Sequence, residues 1–226
     1  EGDLLAPSPQ SCRQLLLATP MMTDEELAKV RALDSEGFKP CTLSILYEAA
    51  AGGEGIRAAM ERAYAELDAQ FAKGCTIFIL SDRGVEDGKA AIPALLAVSG
   101  VQAYTIRKGI RTQLSILLES GEPTEVHHFA LLVGYGATAI NPYLALETVR
   151  DGVRGGMIRK QTEAEAQAHY LKAVVKGIVK VMSKMGISTV QSYRGAQIFE
   201  AVGLDAALID EFFPETVSPI GGIGLE

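Results

Sequence analysis

The chain has 226 residues, 48% of them apolar and 22% charged, with a formal net charge of −7. That balance excludes disordered and fibrous classes and allows one well-buried domain, with or without a helical extension. No Lys or Arg cluster stands out, which argues against a nucleic-acid surface, and no apolar run reaches the roughly 18 residues a membrane span needs.

Residues 1–22 contain Pro and Leu with weak periodicity and read as a connecting arm. The start, Glu1-Gly2-Asp3, has no initiator Met and no basic, apolar signal-peptide pattern. The end falls inside the Gly-rich Gly221-Gly222-Ile223-Gly224. Both ends are expected to be boundaries of a piece of a longer protein.

Thr23, with Glu26 three residues on, predicts a capping box and a helix to about Asp34. Thr42 to Tyr47 predicts a first strand. A Gly-rich loop at Gly52, Gly53 and Gly55 leads to a helix over 56–73, whose Ile56, Ala59, Met60, Ala63, Leu67 and Phe71 recur at helical spacing. Gly74 suits its C′ position. Cys75 to Leu80 is the clearest strand, apolar throughout as a strand buried on both faces should be. A charged loop then leads to an apolar helix over 91–108. Further on, Gln113 to Glu119 reads as a third strand, 124–134 as a short helix and Ala137 to Ile140 as a fourth strand. Pro142 suits the first position of a helix to about Arg150. An exposed loop over 151–162 precedes a long helix from Glu163 to Met185, which Gly186 stops. Thr189 to Gln191 is a candidate last strand, and short helices are expected over 195–202 and 205–212. The alternation predicts an α/β fold, a mostly parallel β-sheet flanked by helices, either an open three-layer sheet or an incomplete β/α barrel.

In such a sheet, ligands and partners meet the carboxyl ends of the strands. Polar residues gather there: Ser81, Asp82 and Arg83 after one strand, and Glu119, Ser120 and Glu122 after the next. Asn141 follows the fourth, and Gln191, Ser192, Tyr193 and Arg194 the last. They form either a binding or interface rim, or only the polar loops that backbone groups at strand ends require. The adjacent Asp82 and Arg83 either tie loops together or pair with their neighbours without chemistry.

Cys12, Cys41 and Cys75 are far apart and form no CxxC pair, so a metal site or disulfide framework is not expected. Cys41 and Cys75 read as buried, reduced strand thiols, which suits a cytoplasmic or organelle-stroma setting. His127 and His128 adjoin on a helix and point about 100° apart, so they cannot chelate one metal; one is expected to face the core and one the solvent. His169 reads as a surface residue. Gly134-Tyr135-Gly136 is no GxGxxG, and no Walker, GxSxG or HExxH motif occurs. The residues alone stop at an α/β domain that serves as a scaffold.

Longer stretches carry more. LSDRG at 80–84 with AAIPALLAV at 90–98, ESGEPTEVHHFALLVGYGATAINPYLALETV at 119–149, KVMSKMGISTVQSYRGAQIFEAVGL at 180–204 and IGGIGLE at 220–226 resemble, in order and spacing, the central domain of the glutamate synthase large (alpha) subunit. The similarity weakens before residue 76. Two places depart from the family's pattern. Where the family carries histidines, this chain has Gln102-Ala103-Tyr104, so no role of those histidines transfers. Arg194 stands where ferredoxin-dependent members tend to have Cys, which leans toward the pyridine-nucleotide type.

The resemblance implies a parent enzyme that makes two glutamates from glutamine, 2-oxoglutarate and a reductant. An amidotransferase domain with a Cys nucleophile releases ammonia, which travels through the protein to a domain holding FMN and an iron–sulfur cluster. The central domain joins the two and helps wall the ammonia path. On that reading, 1–22 is the arm, 23–186 the central α/β domain and 187–226 an extension toward the FMN domain. No catalytic, cofactor or metal residue is expected in this chain, which alone should be inactive. Its expected partners are the amidotransferase and FMN domains of the parent and a pyridine-nucleotide-linked small subunit, with no nucleic acid and no membrane. The loops at Ser81–Gly84 and Gln191–Gly195 are expected to face the neighbouring domains. The competing readings are a free-standing small-molecule binding module and a stand-alone enzyme using Asp82 or His128 in acid–base work.

Overall fold

The computed structural model describes residues 5–6 and 14–225. In chain order the elements are α1 (Asp24–Arg31), β1 (Pro40–Ser44), β2 (Leu46–Glu48), α2 (Gly52–Phe71), β3 (Ile77–Ser81), β4 (Lys89–Ala91), α3 (Ala94–Arg107) and β5 (Ser115–Glu119). They continue with α4 (Val126–Gly134), β6 (Ala139–Asn141), α5 (Tyr143–Arg154), α6 (Glu163–Lys184), α7 (Val190–Tyr193), β7 (Glu200–Leu204), α8 (Ala206–Phe212) and β8 (Val217–Ile223).

The main sheet has four parallel strands in the order β1-β3-β5-β6. Each strand lies beside the one before it, always stepping the same way. Right-handed crossovers that step one way put their helices on one face. The core agrees: Leu43, Phe78, Leu80, Ile116, Leu118 and Ile140 pack with apolar residues of α2, α3 and α4. The alternate residues Ile77, Ile79, Leu117 and Ala139 meet Met22, Leu27 and Val30 on the other face, the last two from α1. This period of two is why the strands read as continuous apolar runs. Each fully buried Leu, Ile or Phe contributes roughly 1.5–3 kcal/mol.

The sheet is open at both edges among the described residues and has helices on both faces, as a three-layer α/β arrangement should. Residues of the expected arm reach it, since Ile140 N donates to Pro20 O and Met22 N to Ile140 O, both at 2.8 Å. The capping box at Thr23 is present, with Thr23 Oγ1 accepting from Glu26 N at 3.2 Å and Glu26 Oε2 from Thr23 N at 2.8 Å. Gly74, at φ +85°, turns the chain out of α2 toward β3.

Several expectations need correction. The expected strand at Thr189–Gln191 is the start of helix α7, because the Thr189 hydroxyl accepts from Ser192 N at 3.3 Å and caps a helical turn. The expected helix over 195–202 gives way to β7, which pairs in parallel with β8 across α8. The Gly-rich loop before α2 is its first turn, and the expected loop at 151–162 begins inside α5. Helix α3 starts only at Ala94, because Lys89–Ala91 forms β4 and pairs antiparallel with β2.

Cys41 and Cys75 are not separate thiols but a disulfide, with Cα atoms 6.2 Å apart. Cys41 lies in β1 beside Phe78 of β3, and Cys75 precedes β3, so parallel pairing brings the two together. Cys12 lies outside the described residues.

The segment after α6 packs onto the same core. Tyr193, Leu208, Ile209 and Phe212 are buried there, and Ser99 of α3 donates to the carbonyl of Phe212.

Candidate functional site

Parallel pairing in register lines up the last residue of each main strand. Ser44 lies opposite Ser81, Ser81 opposite Glu119 and Glu119 opposite Asn141. The pleat sends these four to the face that α1 covers, at the carboxyl edge of the sheet. The edge is thus polar where the strand interiors are apolar, and three of its members, Ser81, Glu119 and Asn141, are buried.

Glu119 is the hub. Arg31 reaches it from the end of α1 with both terminal guanidinium nitrogens, Nη1 and Nη2, at 3.1 and 2.5 Å. Arg83 Nε donates to it at 3.2 Å, and the Ser81 hydroxyl donates to it from the neighbouring strand. Burial alone pushes a carboxyl up; here the hydrogen bonds from Arg31, Ser81 and Arg83 and the charge of Arg31 outweigh it and hold Glu119 below the usual range.

Asp82 does not pair with the adjacent Arg83. Its carboxylate accepts from the Ser120 hydroxyl at 2.6 Å and from Gly121 N at 2.9 Å, locking the turn after β5. Arg83 instead turns outward and lies 3.6 Å from the centroid of the Tyr143 ring, a cation–π contact. Burial, reinforced by a hydrogen bond with Asp82, pushes the Tyr143 phenol up to about 12.

Asn141 closes the row. Its Nδ2 donates to Met22 O at 3.1 Å and to Asp24 Oδ1 at 3.0 Å, while its Oδ1 is buried without a partner. Asp24 also takes Arg150 at 2.9 Å, so the first turn of α1 is fastened as firmly as its last.

Beside this row runs an open polar groove of about 510 Å³, lined by Arg31, Thr42, Ser44, Ser81, Arg83 and Glu119. Its charged groups are already engaged with one another. The Glu119 carboxylate takes hydrogen bonds from Arg31, Ser81 and Arg83, and that of Asp82 is taken up by the turn after β5. Among the described residues no group of three His, Cys, Asp or Glu side chains converges as a metal set. The arrangement is built to hold a shape and to present polar groups.

The structure thus brings together Ser81, Asp82, Arg83 and Asn141 of the sequence-derived rim. It places Gln191, Ser192, Tyr193 and Arg194 elsewhere. Tyr193 donates to Ala130 O inside the core, Gly195 N to Gly134 O at the end of α4, and Arg194 reaches Thr138 O, just before β6 begins. These contacts lie toward the amino edge of the sheet, because α7 is not a strand ending at the carboxyl edge. Sequence reading left Arg31, Asp24, Arg150 and Tyr143 out of the site; all four stand on helices, where long-range pairing leaves no local signal. Both His127 and His128 are exposed. His128 Nδ1 accepts from the amides of Thr124 and Glu125 and so caps α4.

The sequence profile of the glutamate synthase central domain matches residues 1–205. The chain is 44% identical over 226 residues to the glutamate synthase [NADPH] large chain of Bacillus subtilis (strain 168), covering all of this chain and 14% of that protein. It is 38% identical to the glutamate synthase [NADH] of Schizosaccharomyces pombe, covering all of this chain and 11% of that protein. It is also 37% identical to the chloroplastic ferredoxin-dependent glutamate synthase of Oryza sativa subsp. japonica, with 99% and 14% covered. The chain therefore spans about a seventh or less of the length of these curated relatives.

Proposed function

This chain belongs to the glutamate synthase central-domain family, and from that premise we propose that it is the connecting domain of a glutamate synthase. In this reading the parent enzyme converts glutamine, 2-oxoglutarate and reductant to two glutamates. The chain holds an amidotransferase domain and an FMN and iron–sulfur domain in register and walls part of the ammonia path between them. Ammonia released into neutral water becomes mostly ammonium, a poor nucleophile. A connector must therefore exclude water and stay rigid; it needs no reacting side chain of its own.

The observation that carries this reading is the hydrogen-bonded row at the carboxyl edge. Glu119 is held by three side chains from two other elements and the loop after β3, and Asp82 by the turn after β5. Such a network is rigid and polar yet offers no free acid–base pair. We assign the carboxyl edge, which the buried Ser81, Asp82 and Asn141 hold in shape and on which Arg83 is exposed, to the contact with one neighbouring domain. The exposed apolar residues Val202, Val217, Ile220 and Ile223 of β7 and β8 suit contact with the FMN domain. Gln191 and Ser192 are exposed toward the amino edge, while Tyr193 beside them is buried in the core.

The test is the full-length parent carrying Asp82→Asn. If the loop sets the register of the two active sites, glutamine hydrolysis should exceed glutamate formation while folding is kept. Tight coupling in the variant would remove the assignment. The groove beside Ser44 supports a second reading, a small-molecule binding module. A thermal shift of this chain with a polar ligand, lost on Arg83→Ala, would favour it.

A further inference from the structure

Arg111, between α3 and β5, and Arg194, after α7, reach for the same turn from different sides. Arg111 donates through Nη1 to Leu114 O at 2.9 Å, through Nη2 to Gly136 O at 3.0 Å and through Nε to the Gln102 side chain. Arg194 donates to Thr138 O at 3.5 Å and to Gln191 Oε1 at 3.4 Å, both at the outer limit of hydrogen bonding. Its Nε is buried with no partner. Among the described residues, neither guanidinium has an Asp or Glu in its salt-bridge range.

Two like charges in one partly buried place oppose each other. Burial, with the charge of Arg194 adding to it, pulls Arg111 down to about 10, and burial lowers Arg194 as well. Both still carry charge at neutrality. A carbonyl clamp explains the three bonds of Arg111. It explains neither the second cation beside it nor the orphaned Nε of Arg194. A guanidinium has five N–H donors in a fixed fork, so both residues have donors left over.

We propose that Arg111 and Arg194 form a two-pronged site for a small oxyanion of the phosphate or carboxylate class, at the amino edge of the sheet. The anion would accept from the Nη donors that the two residues have left over and supply the missing negative charge between the two cations. This site is separate from the carboxyl-edge row, and its fate does not depend on the connecting role.

The test is thermal unfolding of this chain with inorganic phosphate, and separately with acetate, each against sodium chloride at matched ionic strength. The midpoint should rise with at least one probe beyond the chloride control. Which probe acts tells phosphate from carboxylate chemistry. Arg194→Gln should weaken the binding about tenfold or more, the effect of losing charge-assisted hydrogen bonds. Arg194→Lys keeps the charge but loses the fork, serves where the Gln variant folds poorly, and should bind more weakly than wild type. No rise with either probe, or wild-type affinity in the folded Arg194 variant, overturns the proposal.

Discussion

Arg31, the last residue of α1, grips both carboxylate oxygens of Glu119, the last residue of β5, across 88 positions of sequence. The pair clamps the helix that covers one face of the sheet onto the row of strand ends. Arg83 and Ser81 complete the hold on Glu119, so a single carboxylate joins two strands, a helix and a loop.

Glu119→Gln keeps the shape and removes the charge. Hydrogen bonds to charged groups contribute about 1.5–3 kcal/mol each, but Arg31 and Arg83 are 38% and 45% exposed and solvent screens them. The expected loss is about 1–3 kcal/mol. It should lower the urea midpoint with no change in the slope of the transition.

The same pair makes stability depend on pH with a definite sign. The native Glu119 carboxyl lies below its ordinary 4.5, so its contribution is complete above that value and is lost as pH falls through the lower native one. The gap in urea midpoint between wild type and Glu119→Gln should be constant near neutrality and close in acid. A gap that stays undiminished as pH falls well below 4.5 would assign the loss to packing instead of charge.

Gly177 sits in α6 where a Cβ would stand 2.5 Å from both Cγ atoms of Val126 and 3.1 Å from its Cβ. Val126 is branched at Cβ and cannot swing away. Gly177→Ala gains about 1 kcal/mol of helix propensity, yet the forced contact between α4 and α6 should cost about 1–3 kcal/mol. Net destabilisation is expected, and Val126→Ala in the same chain should restore it. A stabilised single variant would show that the two helices are free to separate.

The main sheet was legible because its strands are buried on both faces. Runs such as Ile77–Leu80 and Ile116–Leu118 announce themselves by unbroken apolarity. The capping box at Thr23 and Glu26 is equally local. What failed was non-local. Strand β7 exists only because β8 returns beside it, and Thr189-Val190 has β-branched residues that a capped helical turn overrides. The Cys41–Cys75 disulfide follows from strand pairing, which no spacing rule encodes. At the candidate site, Ser81, Asp82, Arg83 and Asn141 were found because strand ends are where polarity is conspicuous. Arg31, Asp24, Arg150 and Tyr143 were not, because each joins through a helix that reads as ordinary amphipathic sequence.

The connecting role is tested most directly by the ratio of glutamine hydrolysed to 2-oxoglutarate converted in the full-length parent enzyme. It should be measured for wild type and for Asp82→Asn, alongside the unfolding midpoint. The expected result is a ratio that rises in the variant while the midpoint moves little. An unchanged ratio in a folded Asp82→Asn enzyme would contradict a role for the carboxyl-edge row in holding the two active sites in register.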